Sequence, residues 1–231
     1  MRLDRFLANS KLGSRNDVKR IIKDGYVSVN GKKILRPDFH INPENDTIYV
    51  FDQKIIFKKY VYIMLNKPKG VICTNESYVR NVFNLLPDDY IKYDLHSVGR
   101  LDKDTEGLLI ITNDGIYTHN VISPKKHVEK EYYVELEKNI EEHELKVFDE
   151  GVILDDGYKT LPAKYKIIDV NKLFLTIYEG KFHQVKRMFE AVGNKVNYLK
   201  RVRIGKLLLD PNLKTGDFKE ISYTEANLVF E

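Results

Sequence analysis

The chain has 231 residues, of which 42% are hydrophobic, a formal net charge of +4 and one cysteine. That length holds one large or two small domains, and that much apolar material supports a packed core and excludes a disordered chain. No apolar run approaches the ~20 residues of a membrane-spanning helix, the opening Met1-Arg2-Leu3-Asp4-Arg5 shows no signal-peptide core, and lone Cys73 excludes an intrachain disulfide. A reducing, cytoplasmic setting is expected.

Charge is unevenly spread. Residues 1–60 carry 13 Lys or Arg against 7 Asp or Glu, a net +6, while the remainder carries 25 against 27, a net −2. A basic first part on a near-neutral body points to phosphate binding, although a merely solvated face has the same composition.

In chain order, Leu3, Phe6 and Leu7 have helical spacing and predict a short helix over 2–9. Ser14 suits an N-cap, with Asp17 at the third helical position. Val18, Ile21 and Ile22 give the apolar stripe of a second helix, which Gly25 ends. Arg15, Lys19, Arg20 and Lys23 fall on its other side, with Arg5 and Lys11 nearby. Residues 26–29 read as a strand, Asn30-Gly31 as a hairpin turn, 32–35 as the return and 48–50 as a third strand. The first domain is therefore placed at 1–51, a lysine-rich linker containing Ile55, Ile56 and Phe57 at 52–60, and a second domain at 61–231.

The second domain opens with strands at 61–65 and 71–74 around the turn Lys67-Pro68-Lys69-Gly70. A short helix at 82–86 follows, then His96-Ser97-Val98 and the stretch Gly99-Arg100-Leu101-Asp102-Lys103-Asp104-Thr105-Glu106-Gly107. Leu108-Leu109-Ile110-Ile111 after it reads as a buried strand, closed by Asn113-Asp114-Gly115. Two carboxylates and an arginine at the mouth of such a strand have the makings of a site, and also of a plain turn. Helices are predicted at 116–122, at 140–148 with Leu145 and Phe148 inward, from Phe182 to Gly193, and from Thr224. Strands are predicted at 130–136, 152–154, 163–170, 173–178, 196–204, 207–209 and 218–221. This mixture is an α+β pattern with a largely antiparallel sheet.

The stretch containing Gly99-Arg100-Leu101-Asp102 resembles the central motif of the RsuA-group pseudouridine synthases. Three further motifs of that family match in order: Leu65-Asn66-Lys67-Pro68-Lys69-Gly70, Lys130-Glu131-Tyr132, and Glu179-Gly180-Lys181-Phe182-His183-Gln184-Val185-Lys186-Arg187-Met188-Phe189. Arg2-Leu3-Asp4, Ser14-Arg15 and Gly25-Tyr26-Val27-Ser28-Val29-Asn30-Gly31 resemble an S4 RNA-binding domain. The resemblance covers the whole chain. It implies an S4-like domain followed by a pseudouridine synthase domain, acting on a uridine of ribosomal RNA.

By the same resemblance Asp102 is the catalytic carboxylate, acting at the ribose either as nucleophile or as base toward the 2′ proton. A cation should keep it ionised. The motif offers Lys186 for this, with Arg187 as rival, about 100° further round the helix. Tyr132 is expected to stack on the freed base and to assist, or not, at C5. Alternation puts Arg100 on the side of Asp102, to contact RNA or splay the target nucleotide. Asp104 is expected to bond the backbone of Thr105 and Glu106. Lys67 is expected to support the loop rather than react, and His183 and Gln184 to be hydrogen-bonding neighbours.

Arg15, Lys19, Arg20 and Lys23, with Arg187, complete the expected RNA contacts. The nucleotide would be flipped out, or captured before the RNA folds. His183-Gln184-Val185-Lys186-Arg187-Met188 resembles the small-subunit members. Large-subunit members tend to carry N-R-E-V-R-R-M. A non-catalytic assembly factor on the same fold is the other alternative. The six histidines lack metal-ligand spacing and no nucleotide-binding fingerprint is present, so neither metal nor cofactor is expected. The expected partner is a small-subunit assembly intermediate, met by a monomer away from membranes.

Overall fold

The computed structural model describes all residues except 11, 44, 56, 57 and 77, and the side chains of all of these except 91 and 92. The expectations for Lys11, Ile56 and Phe57 lie outside the described residues. The chain divides into two compact units, Met1–Lys59 and Tyr60–Glu231.

In the first unit, α1 (Leu3–Asn9) and α2 (Arg15–Lys23) join a four-stranded sheet. Ser14 and Asp17 form a reciprocal capping box at the start of α2. The strands are β1 (Val27–Val29), β2 (Lys32–Lys33), β3 (Ile48–Val50) and β4 (Gln53–Lys54), in the order β2-β1-β3-β4. Leu3, Phe6, Val18, Ile22, Val27 and Ile48 are among the residues of its core. Strand β4 lies inside the stretch expected to be linker. Phe51 and Asp52 (φ +48° and +62°) make a tight left-handed turn, and the Ile55 N–H then donates to the Ile48 carbonyl at 2.8 Å. Asn-Gly usually advertises such a turn; Phe-Asp does not.

The second unit holds β5 (Tyr62–Lys67), β6 (His96–Ser97), β7 (Glu106–Thr112), α3 (Gly115–Ile122), β8 (Lys130–Leu136), α4 (Glu142–Leu145), β9 (Lys164–Asp169) and β10 (Lys172–Ile177). Then come α5 (Gln184–Ala191), β11 (Val196–Ile204), β12 (Leu207–Leu208), β13 (Phe218–Ile221) and α6 (Tyr223–Asn227). The main sheet runs β13-β5-β7-β11-β8-β10-β9, with β6 beside β7 and β12 beside β11. Strand β7 pairs with β11 in parallel, and the other strand pairs are antiparallel. Both faces of β7 are covered. Leu109 and Ile111 join one core, Leu108 and Ile110 the other, which is why the run is continuously apolar. No helix of the described residues is long and apolar enough to cross a membrane.

Two expected strands do not form. At 71–74 Val71 and Cys73 are buried, but Ile72 makes only an isolated bridge to Asn81. At 152–154 Val152 and Leu154 are buried, yet their backbone partners are Thr160 and Tyr158 in a local loop. Alternating burial without a neighbouring strand mimics the strand pattern. The 140–148 helix is one α turn, α4, continued as a 3-10 turn over Lys146–Asp149. Helix α5 starts after His183 rather than at Phe182, because His183 takes a left-handed conformation (φ +48°).

Gly107 sets how closely β7 and β11 approach. Its φ is +103°, and an added Cβ would sit 2.2 Å from the Arg201 carbonyl oxygen. Gly107→Ala should therefore lower stability by about 3–5 kcal/mol, because backbone must move. Gly115→Ala, whose Cβ meets nothing within 4 Å, should leave the thermal midpoint within a degree or two or raise it slightly. Thermal denaturation followed by circular dichroism checks both.

Candidate active site

The loop between β6 and β7 is held from below by a lysine. Lys67, the last residue of β5, is fully buried. Its ammonium donates to the carbonyls of Asp102 and Thr105, both at 2.9 Å, and of Pro68 at 3.2 Å; the Lys103 carbonyl is at 3.5 Å. Burial pulls its pKa below the ordinary lysine value. The Gly70 N–H donates to the Lys103 carbonyl at 2.7 Å, and the Thr105 N–H to the Asp102 carbonyl at 3.1 Å. Cys73 grips the next turn: its Sγ accepts from the Leu101 N–H at 3.5 Å and lies 3.6 Å from the Leu101 carbonyl. Composition alone marks Cys73 only as an indicator of compartment; its contact with this loop emerges from the fold.

This support sets the Asp102 carboxylate beside α5. Lys186 Nζ lies 3.1 Å from Asp102 Oδ2 and His183 Nε2 3.6 Å from Asp102 Oδ1. Lys186 also donates to Asp104 Oδ1 at 2.6 Å. Asp104 thus turns to Lys186 rather than to the backbone of Thr105 and Glu106, gaining an ion pair as well as a hydrogen bond. Burial is the largest single influence on the Asp104 carboxyl and pushes it up, but the bond and the charge of Lys186, with smaller help from its own backbone N–H and His183, together carry the net shift downward. On Lys186 burial acts downward, and the two carboxylates together raise its pKa above the ordinary lysine value.

Arg187, the rival cation, faces elsewhere. Its guanidinium pairs with Asp155 and, at 2.7 Å, with Asp156, and donates to the Phe182 carbonyl at 3.3 Å. Both carboxylates belong to the local loop after Leu154, so Arg187 ties that loop to α5. The same arrangement matches this arginine's charge within that loop.

Arg100, Asp102, Thr105 and Tyr132 line one cleft of about 70 Å³, closed by Gly180, His183 and Val185. Arg100 and Asp102 share that cleft, but Leu101 between them lines it as well, so the shared lining is not the product of strand alternation. Tyr132 presents its ring from β8. His183 stacks on exposed Phe182, with ring centroids 3.9 Å apart. Gln184 is buried; its amide donates to Glu179 at 3.0 Å and its oxygen accepts from the Lys181 N–H at 2.9 Å. It fixes the turn into α5. In the first unit Arg5, Arg15, Lys19, Arg20 and Lys23 are all exposed, with Arg20 3.5 Å from Asp17.

Residues 61–191 match the family model of RNA pseudouridylate synthases, and residues 1–48 that of the S4 domain. The chain belongs to the RNA pseudouridylate synthase family, and it carries an S4 domain at its amino-terminal side. It is 42% identical over 236 residues to an uncharacterised RNA pseudouridine synthase, YtzG, of Bacillus subtilis, covering 100% of this chain and 99% of that one. It is 39% identical to the ribosomal small subunit pseudouridine synthase A of Haemophilus influenzae, over 97% of each chain. A crystal structure of a pseudouridylate synthase aligns over 99% of both chains, with 37% identity and a TM-score of 0.71.

Replacing Lys67 by Met should strand the loop carbonyls in an apolar base. Each buried acceptor left unpaired costs roughly 1–3 kcal/mol, and partial relaxation should bring the total destabilisation to about 2–4 kcal/mol. Amide hydrogen exchange at Lys103 to Thr105 should accelerate more than exchange in β9.

Proposed function

We propose that this protein converts one uridine of small-subunit (16S) ribosomal RNA to pseudouridine, with Asp102 acting at the ribose. One observation carries the reading. A carboxylate from the central loop stands 3.1 Å from an ammonium that a second carboxylate keeps protonated, at the wall of a cleft shared with an aromatic ring. The relatives named ribosomal small subunit pseudouridine synthase A support the choice of RNA.

Isomerisation breaks the bond from C1′ to N1, and its electron pair leaves on the uracil. Positive charge develops on the sugar, where a carboxylate is the fitting partner. Asp102 either bonds to C1′ and departs as C5 attacks, or removes the 2′ proton and returns it to C2′ when C5 bonds. The base then turns, C5 bonds to C1′, and the C5 proton is exchanged for one on N1. Lys186 places a positive charge beside the Asp102 carboxylate, Tyr132 stacks on the loose base and Arg100 engages the RNA at the rim. The exposed cations of α2 hold phosphates and so position the RNA without reading its sequence. The protein works as a monomer on an assembling small subunit in the cytoplasm.

Asp102→Asn should remove pseudouridine formation on 16S fragments, read by chemical mapping, while RNA affinity stays within about threefold, because a single uncharged isostere leaves the phosphate contacts intact. Wild-type silence on naked and assembling 16S RNA alike would favour a binding module instead. Reversing Lys19 and Lys23 to Glu should weaken binding. It should also flatten the slope of log affinity against log salt by roughly one for each phosphate no longer neutralised.

A further inference from the structure

Behind Tyr132 lies a second cleft, of about 160 Å³. It shares Arg100, Tyr132, Gly180 and Lys181 with the cleft of Asp102, so the two adjoin along one wall. Much of its remaining lining is apolar, but Lys130, Glu179 and Arg201 also face it. Arg201 is 3% exposed; its Nε donates to the Leu108 carbonyl at 2.8 Å, and its Nη2 has no partner among the described residues. Lys130 is half-buried and donates to the Val128 carbonyl at 3.0 Å.

Glu179 brings a carboxylate to the cleft, but it is engaged on the far side. One oxygen accepts from the Leu161 N–H at 2.9 Å and the Gln184 amide at 3.0 Å, the other from the Tyr158 hydroxyl at 2.6 Å. Among the described residues it makes no ion pair with Lys130 or Arg201. Besides Arg100 and Lys181 on the wall shared with the first cleft, Lys130 and Arg201 therefore share a sheltered cleft with a spare donor and, among the described residues, no anion in contact with either of them. A buried guanidinium N–H left idle is rare in native proteins and calls for an acceptor.

We infer that this cleft receives an anionic oxygen of the RNA substrate, bonded by Lys130 and Arg201. The inference rests on the proposed reading that RNA enters with its target ribose at Asp102. Two oxygens have the required chemistry: that of the adjoining backbone phosphate, and that of the uracil while it carries the electron pair released from C1′–N1. Donors fixed in a low-dielectric cleft before that charge forms are the arrangement that stabilises it without reorganisation.

Arg201 also holds the Leu108 backbone, so its removal confounds folding with binding; Lys130 carries the test. Full-length wild type, Lys130→Met and Lys130→Arg would be compared on a fluorescent 16S fragment for Kd, salt slope and single-turnover rate. A phosphate in the cleft predicts that Lys130→Met raises Kd about tenfold and lowers the salt slope by roughly one. A uracil oxygen predicts unchanged Kd and slope with a rate about 10–100-fold lower. In either case Lys130→Arg restores most of the loss.

Burial, and then Arg201, push the Lys130 pKa down to about 8, against Glu179. The other titratable or charged groups facing the cleft are Arg100, Tyr132 and Lys181. Arginine and glutamate side chains do not ordinarily titrate between about pH 7 and 9. Raising pH through that range discharges Lys130, so RNA affinity in the phosphate case, or the rate in the uracil case, should fall in wild type and hold in Lys130→Arg. A Lys130→Met protein within twofold of wild type in Kd, slope and rate overturns the inference, as does a loss that arginine fails to rescue. If wild type makes no pseudouridine, the proposed function fails separately, and unchanged Kd and slope then dispose of the cleft as well.

Discussion

A buried ammonium held by main-chain carbonyls is the constraint on which the site depends. Lys67 gives up hydration to stand at the end of β5, and burial accordingly lowers its pKa. Its compensation comes from main-chain carbonyls of the loop that carries Asp102. The charge cannot be satisfied unless Asp102 and Thr105 turn their carbonyls inward, and the loop cannot do so without a donor beneath it. Gly107 adds the complementary condition at the next step of the chain. With no Cβ, it lets β7 come against the Arg201 backbone while pairing with Lys67 across the sheet. Main-chain position is thus fixed from two sides before any charged side chain of the site is considered.

Cations on and near this domain do three different jobs, and their surroundings tell them apart. Lys67 meets carbonyl dipoles and shapes backbone. Lys186 meets two carboxylates and sets charge. Arg187, adjacent in sequence, meets Asp155 and Asp156 and ties a loop to α5. One residue of helix is about 100° of rotation, enough to send neighbouring side chains to different partners. The inward stripe of Val185, Met188 and Phe189 fixes that rotation, because it must enter the core beside Phe148. Packing on one face of α5 therefore decides which basic residue reaches Asp102 on the other.

Legibility in the sequence follows the range of the interaction. Local signals are plain: the Ser14–Asp17 capping box, the Asn30-Gly31 turn and the doubly covered run before Asn113 each announce themselves within a few residues. Strand β4 is hidden because its turn is built on Phe51 and Asp52 in conformations that Gly or Asn normally take. Residues 71–74 and 152–154 alternate like strands because they bury alternate side chains, while their hydrogen bonds are local. The motifs single out Asp102, Tyr132 and Lys186, and the fold brings these to one place. Asp104 departs from expectation because its partner is 82 positions away, and the roles of Cys73 and Arg201 also rest on distant contacts.

Burial is graded across the site, and the grading has a chemical logic. Lys67 at the base is fully enclosed, the Lys186 side chain is 17% exposed, Asp102 26% and Asp104 54%. An aspartate as deep as Lys67 would suffer a desolvation cost that drives it toward its neutral form. One as open as Asp104 would have its attraction to the positive sugar of the proposed reaction weakened by water. Asp102 stands between these limits, anchored through its own carbonyl while its carboxylate stays within reach of a substrate. Separating the anchoring carbonyl from the carboxylate proposed to react, on a single residue, lets the loop be rigid and the carboxylate accessible at once.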